Sequence, residues 1–372
     1  MPSLASTTRE PRRNSALVPQ PRTAVPQPRP AVPQPRTTTT QPGPATQPGL
    51  TTTAGLTTTV PREYVHRAAV SEVLLTGWEP ATADPSALHP GARPGPGGCS
   101  DGPDAFVVRS QWPRGHSLFS QTGGYQDPML LIESVRQIGA LLSHAEFEVP
   151  FGHQFLMWDM SFATTKDLLV AGPAPAEVEL RTVCHDVVRR GRVLSGMRYD
   201  VTALVDGVPL ATAGAAFSCT SPAVHRRLRG DRPTTTDRVP GRPIDPALVG
   251  RTAPTHVVLT EDPTAERDHH QWELRVDSTH PIFFDHPVDH VPGMVLLEAA
   301  RQAAHASTGL PDALVISLDS TFARYAELDR PCRIVAHPGL VDAAGHILVQ
   351  VCGFQDDQTV FAADLVLSPR NG

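Results

Sequence analysis

Lysine is almost missing from this chain of 372 residues: Lys166 is the only one, and arginine carries nearly all the positive charge. Cysteine is also scarce. Cys99, Cys184, Cys219, Cys332 and Cys352 are scattered, odd in number and form no CxxC pair. This argues against a disulfide framework or a cysteine-based zinc site and predicts reduced thiols in a cytoplasmic protein. No run of about 18 apolar residues occurs, so no membrane span is expected. The N-terminus lacks an apolar core of roughly 7–15 residues, so no secretory signal is expected either. HExxH and GxSxG are both absent, which leaves a helical zinc site and a serine nucleophile elbow without support.

Charge is unevenly spread. Net charge is −6, but residues 1–60 hold six arginines and one acid, Glu10, which leaves about −11 on the remainder. An acidic folded part disfavours nucleic-acid binding. Residues 1–60 are also low in complexity: VPQPR recurs at Val18, Val25 and Val32, followed by threonine-rich stretches. Such a segment buries too little apolar surface to offset its ordering entropy, and it is expected to be a disordered extension. It is either a polyproline-type docking tail or a solvated extension.

Beyond residue 60, strand and helix signals occur in one order, twice. EVLLT (Glu72–Thr76) and AFVVR (Ala105–Arg109) read as strands flanking a Pro/Gly-rich loop over residues 80–103. A helix follows from near Pro128 through Leu142. The stretches 155–162, 177–188, 193–205 and 208–218 then form a strand meander, with Asp206-Gly207 as a hairpin turn. After an Arg/Pro/Thr-rich linker, strands at 255–260 and 270–276 precede a second helix, from Pro292-Gly293 to near Gly309. Strands at 313–322, 332–337, 346–354 and 359–367 close the pattern. The duplication divides the chain into an extension (1–60), a first unit (61–222), a linker (223–250) and a second unit (251–372). One helix per sheet, surrounded by strand, predicts an α+β tandem double hotdog. Each long central helix is wrapped by an antiparallel sheet, and the two sheets pair side by side as a pseudo-dimer.

The two helices share a charged triplet. Glu133, Arg136 and Gln137 in LIESVRQIGA match Glu298, Arg301 and Gln302 in LLEAARQAA at one constant offset, as Met129 and Leu131 match Met294 and Leu296. A surface salt-bridged stripe accounts for such a triplet in one helix. Its repetition in a wrapped helix points to function.

In the second unit the helix is preceded by DHPVDH, and Pro292-Gly293 opens it. Pro suits the first turn, Gly permits close approach, and the free amides can polarise a carbonyl oxygen. Glu298 can act as a general base if burial raises its pKa, and His286 or His290 can share that work. Arg301 can grip a phosphate in a bidentate way. Asp285, His290, Gly293 and Gln302 are candidate substrate contacts, with Arg136 and Gln137 as their first-unit counterparts. His286 and His290 are four apart, but Pro287 argues against a helical metal site, so no metal and no cofactor are expected. A polar loop with simply hydrogen-bonded histidines is the plain alternative. The first unit has GGYQDPM before its helix, without Pro-Gly or DHPVDH, although His116 in HSLF matches His280 in HPIF. The complete site is therefore expected in the second unit. Glu133 and Arg136 form either a second, incomplete site or part of the pseudo-dimer interface.

HPVDHVPGMVLLEAARQAA, QWPRGHSLFS (Gln111–Ser120), VPFGHQFLMWDMSF (Val149–Phe162) and EYVHRAAVSEVLLTGW (Glu63–Trp78) together resemble the A-factor biosynthesis family of actinomycete γ-butyrolactone synthases, over roughly residues 61–370. A more distant resemblance is to hotdog β-hydroxyacyl-carrier-protein dehydratases, through His286, Pro292-Gly293 and Glu298. The family resemblance implies transfer of a β-ketoacyl group from acyl carrier protein to the hydroxyl of dihydroxyacetone phosphate. The residues suit this transfer, and on their chemistry Glu298, Arg301, His286 and Glu133 are the catalytic candidates. The alternatives are a hotdog acyl-thioester dehydratase or thioesterase, and a non-catalytic acyl or lactone binder. Arg301 favours transfer, because dehydration needs no phosphate grip. Carrier-protein docking needs a local basic patch. Arg189, Arg190 and Arg192, or Arg226, Arg227 and Arg229, offer one, unless these are only a solvated turn and linker. The fused units are expected to be a monomer or a homodimer.

Overall fold

The structure is a computed structural model that describes residues 57–82, 104–230, 232–236, 238–262 and 270–370. The N-terminal extension, most of the 80–103 loop and Cys99 lie outside the described residues.

Alternating apolar residues, β-branched runs and tight Asp-containing turns put far more of the described residues into antiparallel strands than into helices. The first half runs β1 (Leu75–Pro80), β2 (Ala105–Trp112), helix α1 (Met129–Ala145), β3 (Gln154–Thr164), β4 (Ala176–Arg190), β5 (Val193–Val205) and β6 (Val208–Thr220). A helix α2 (Pro222–Arg229) follows within the stretch read as linker. The second half runs β7 (Leu259–Glu261), β8 (Gln271–Leu274), helix α3 (Gly293–Thr308), β9 (Leu314–Phe322), β10 (Arg333–Val341), β11 (Ile347–Gln355) and β12 (Gln358–Ser368). The β5–β6 hairpin turns on Asp206 and Gly207, at φ 51° and 76°, as its sequence predicts. The β11–β12 hairpin makes the same two-residue turn with Asp356 and Asp357, at φ 48° and 56°.

All twelve strands form one sheet in the order β1-β2-β4-β5-β6-β3-β9-β12-β11-β10-β8-β7. Each half has the same internal order, and the halves meet edge to edge where β3 pairs antiparallel with β9, Ser161 opposite Asp319. At this seam Ser320 Oγ donates to the Met160 carbonyl at 2.7 Å. The tandem hotdog expected from the duplication is thus the fold, and the seam removes two exposed sheet edges at once.

Each helix is sheathed by its own sheet. Between Met129 and His144 every residue of α1 is buried except Arg136, and every residue of α3 from Met294 to His305 is buried, Arg301 included. Gly139 sits where α1 meets β5. A Cβ there would lie 2.7 Å from the hydroxyl of Tyr199, which is itself fully buried and donates to the Val135 carbonyl at 2.7 Å. The glycine costs helix propensity and provides this close approach. Replacing Gly139 with alanine is expected to destabilise the protein by about 1–3 kcal/mol, measured as a lower urea midpoint.

Candidate active site

The helical triplets fold into two copies of one buried ionic cluster. Glu133 accepts from Arg136 at 2.9 and 2.7 Å and from Gln137 at 2.7 Å. Glu298 accepts from Arg301 at 2.9 and 2.7 Å and from Gln302 at 2.5 Å. Each glutamine ties its helix to the chain leading into a first strand. Gln137 accepts from the Leu74 amide at 3.0 Å and donates to the Glu72 carbonyl at 2.7 Å. Gln302 accepts from the Val258 amide at 2.9 Å and donates to the His256 carbonyl at 2.8 Å.

A second arginine, off the helix, completes each cluster and crosses to the other half. Arg67 lies 2.7 Å from Glu133, donates to the Ile282 carbonyl at 3.0 Å and lies 3.6 Å from Asp285. Arg251 donates to both oxygens of Glu298 at 2.8 and 2.9 Å, donates to the Leu118 carbonyl at 2.5 Å and lies 3.7 Å from Asp127. Sequence reasoning missed both, because they lie off the helices and at a different offset. A local signal exists: Val65-His66-Arg67 and Val249-Gly250-Arg251 each end a one-turn 3-10 helix, with the middle residue left-handed at φ 53° and 64°. Glycine takes that conformation readily. The first half holds a histidine there instead, a local strain of the kind that concentrates at functional sites.

These clusters fix the state of both glutamates. Burial works to raise each carboxyl, but the charges of the paired arginines, with their hydrogen bonds, outweigh it and bring Glu133 and Glu298 down to about 2. The condition set for Glu298 as a general base, that burial raise its pKa, is therefore not met. The desolvation is real, but two guanidiniums within hydrogen-bonding distance exceed it.

DHPVDH forms two aspartate–histidine pairs. His286 Nδ1 is 2.5 Å from Asp285, whose other oxygen accepts from the Ala68 amide at 2.9 Å. His290 Nδ1 is 2.7 Å from Asp289. Each carboxylate thereby selects the tautomer with Nδ1 protonated and leaves the lone pair on Nε2. Asp289 is anchored from α2, whose His225 and Arg229 reach it at 2.9 and 3.2 Å. Arg229 also binds Glu327 at 2.6 and 2.9 Å and stacks 4.0 Å over Tyr325. The stretch expected to be a linker thus buttresses the site. Burial works to raise Asp289, but hydrogen bonds from His290 and His225 and the charge of Arg229 hold its carboxyl well below the usual range.

The two helix starts differ. In α1 the Met129 amide is capped by Asp127 Oδ1 at 2.9 Å. In α3 the Gly293 and Met294 amides have no side-chain cap among the described residues, so the positive end of the helix stays open. A Cβ on Gly293 would come 3.3 Å from the Phe322 ring. His116 and His280, matched by sequence, cap equivalent turns: each Nδ1 accepts backbone amides, at 3.2 and 2.9 Å in one and 3.2 Å twice in the other.

A cavity of about 890 Å³ opens between the halves. His286, Asp289, His290 and Gly293 of the second half line it, facing His66, Arg67 and Arg136 of the first. Its apolar wall includes Phe155, Met157, Phe217, Leu296 and Leu297. Glu133 and Gln137 stand behind Arg67 and Arg136, and Glu298, Arg301 and Gln302 do not line it, nor does Arg251; Asp285 pairs with His286 but does not line it either. DHPVDH therefore faces the helix of the first half, not Glu298 and Arg301 of its own. Arg136 lines the same cavity, whereas the sequence leads to the expectation of a site complete within the second unit. The reason is the crossed packing of the halves, which a repeat offset does not encode. Arg136 spends Nε and Nη2 on Glu133 and the Val65 carbonyl, which leaves its Nη1 edge free of hydrogen-bond partners among the described residues. His66 Nε2 is 2.7 Å from His144 Nε2, and His144 Nδ1 bonds the Val149 carbonyl at 2.6 Å. Burial and the neighbouring charges of Arg136, His144 and His286 lower His66 to about 3, so it stays neutral. Among the described residues no group of three or more His, Cys, Asp or Glu side chains is placed to hold a metal ion.

Fold and site define a tandem hotdog protein with a polar–apolar cavity lined by both halves. The chain belongs to the A-factor biosynthesis hotdog family, whose domain model matches residues 50–221 and 233–371. It is 51% identical over 306 residues to a Streptomyces virginiae protein named 2-oxo-3-(phosphooxy)propyl 3-oxoalkanoate synthase, covering 82% of this chain and 95% of that protein. A Streptomyces coelicolor protein of the same name is 38% identical over 309 residues, covering 82% and 90%. Among solved structures, the 12:0-ACP thioesterase of Umbellularia californica aligns at 11% identity and a TM-score of 0.43, covering 71% of this chain and 94% of that one.

Two outcomes follow for the clusters. Glu298→Gln leaves Arg251 and Arg301 buried without their counter-ion, so it is expected to cost about 3–5 kcal/mol of unfolding free energy near neutral pH. Because Glu133 and Glu298 are depressed from 4.5 to about 2, their contribution is complete above about pH 4.5 and is lost as pH falls through about 2. Urea unfolding across that range should show wild-type stability falling steeply, with a flatter profile for Glu298→Gln.

Proposed function

We propose that the protein transfers a β-ketoacyl group from a carrier-bound thioester to the free hydroxyl of dihydroxyacetone phosphate, a step in making γ-butyrolactone-type signalling molecules. The name shared by its relatives describes the ester of a 3-oxo acid with a phosphorylated three-carbon hydroxyketone. The observation that carries the reading is the composite cavity. It places an oriented imidazole, an open helix N-terminus, an arginine edge and an apolar wall in one space.

Each part has a role in that chemistry. His286, held by Asp285, takes the proton of the acceptor hydroxyl as its oxygen bonds to the thioester carbon. The neighbouring carboxylate stabilises the imidazolium that forms. His66 is the weaker base, because a proton there would sit beside Arg136 without a carboxylate. The Gly293 and Met294 amides receive the oxyanion. Collapse breaks the carbon–sulfur bond, and His286 returns its proton to the leaving thiolate. Arg136 holds the acceptor phosphate through its Nη1 edge, and the apolar wall holds the acyl chain. Glu133 and Glu298 act as counter-ions that position Arg136 and stabilise both halves. Dehydration or hydrolysis would use the cavity without the Arg136 edge.

Incubation with a β-ketoacyl thioester and dihydroxyacetone phosphate, read by mass spectrometry, should yield the phosphorylated ester or its butenolide. Thioester that is only hydrolysed or dehydrated would contradict the reading. His286→Ala should lower kcat by about 10²–10⁴-fold, and Arg136→Ala should raise KM for the phosphorylated acceptor far more than KM for the thioester.

A further inference from the structure

The mouth of the cavity carries charge of the wrong sign for an acidic protein. Outside residues 1–60 the chain holds about −11, yet Arg226 and Arg324 stand exposed at this rim with no ion-pair partner among the described residues. The described carboxylates that line these walls are already paired, Asp289 and Glu327 with Arg229 and Asp356 with Arg330. Helix α2 is fixed as a platform. Ser221 caps its start, Gly230 ends it, and Arg229 turns inward with its side chain only 7% exposed. Its outer face presents Arg226, Arg227 and Leu228, the last 71% exposed. Across the mouth, Arg324 lies in the wall shared with a second cavity of about 530 Å³, which is also lined by Trp158, itself 45% exposed. The other basic cluster, Arg189, Arg190 and Arg192 on the β4–β5 hairpin, lines neither cavity.

We infer that these two flanks form the docking surface for an acyl carrier protein, with its thioester arm entering the cavity between them. The inference rests on the proposed acyl transfer. Its basis is charge complementarity: a carrier protein is acidic, and two unpaired arginine flanks beside exposed apolar side chains attract and seat such a partner. A coenzyme A thioester would reach the same cavity without needing the outer face of α2.

The test measures binding of a bacterial holo acyl carrier protein at low salt, together with kcat/KM for β-ketoacyl carrier protein, β-ketoacyl coenzyme A and β-ketoacyl N-acetylcysteamine. The variants are Arg226→Glu/Arg227→Glu, Arg324→Glu, the corresponding glutamine changes, and Arg190→Glu/Arg192→Glu as control. Carrier binding and carrier-donor turnover should fall about tenfold or more in the rim variants. N-acetylcysteamine turnover and the control should stay within about twofold. Unchanged carrier binding in the rim variants would overturn the inference, as would an equal loss with coenzyme A or with all three donors. Because binding is read directly, carrier binding that is lost in the rim variants alongside a wild type that makes no ester would contradict the transfer reading and uphold the surface.

Discussion

Everything in this fold hangs on a carboxylate shared by two arginines, written twice. Glu133 and Glu298 are removed from water inside wrapped helices, where an unpaired charge would be costly. Arg136 and Arg301 provide one counter-charge from the next turn. Arg67 and Arg251 provide the other, and each also bonds a carbonyl of the opposite half. The ion pair that makes each helix burial tolerable is thus also what locks the halves together. The β3–β9 seam joins the sheets, and the crossed arginines set how the loop of one half lies against the helix of the other.

That arrangement turns a duplicated fold into a one-sided site. Both halves keep the cluster, but only the second keeps an open helix start, because Asp127 caps the first. Only the second carries the DHPVDH loop with its two Asp-His pairs, and only the first puts its helical arginine on the cavity wall. Arg136 has 20% of its side chain exposed, whereas Arg301 has 8%. Histidine replaces glycine in the left-handed position beside Arg67, and of the two equivalent turns only this one lines the cavity. Each departure from symmetry falls on the same side of the molecule.

The fold was legible because duplication, strand alternation and helix punctuation agree. The β5 strand lies where its pattern places it, and α3 starts at Pro292-Gly293 as expected. The triplet was legible as a repeated signature, but its role was not. A constant offset relates residues within each half, whereas Arg67, Arg251 and the pairing of DHPVDH with Arg136 depend on contacts across halves. In sequence Arg229 reads, with its neighbours, as either a carrier-docking patch or a solvated linker. Its inward turn follows from Asp289, Glu327 and Tyr325, which are distant in sequence.

The central claim is that the site is composite, with the second half's loop and helix start acting on a substrate held by the first half's arginine. A structure of the protein with dihydroxyacetone phosphate bound tests it most directly. The account predicts the phosphate against Arg136, with the free hydroxyl toward His286 and Gly293. A phosphate against Arg301 and Arg251 would contradict it.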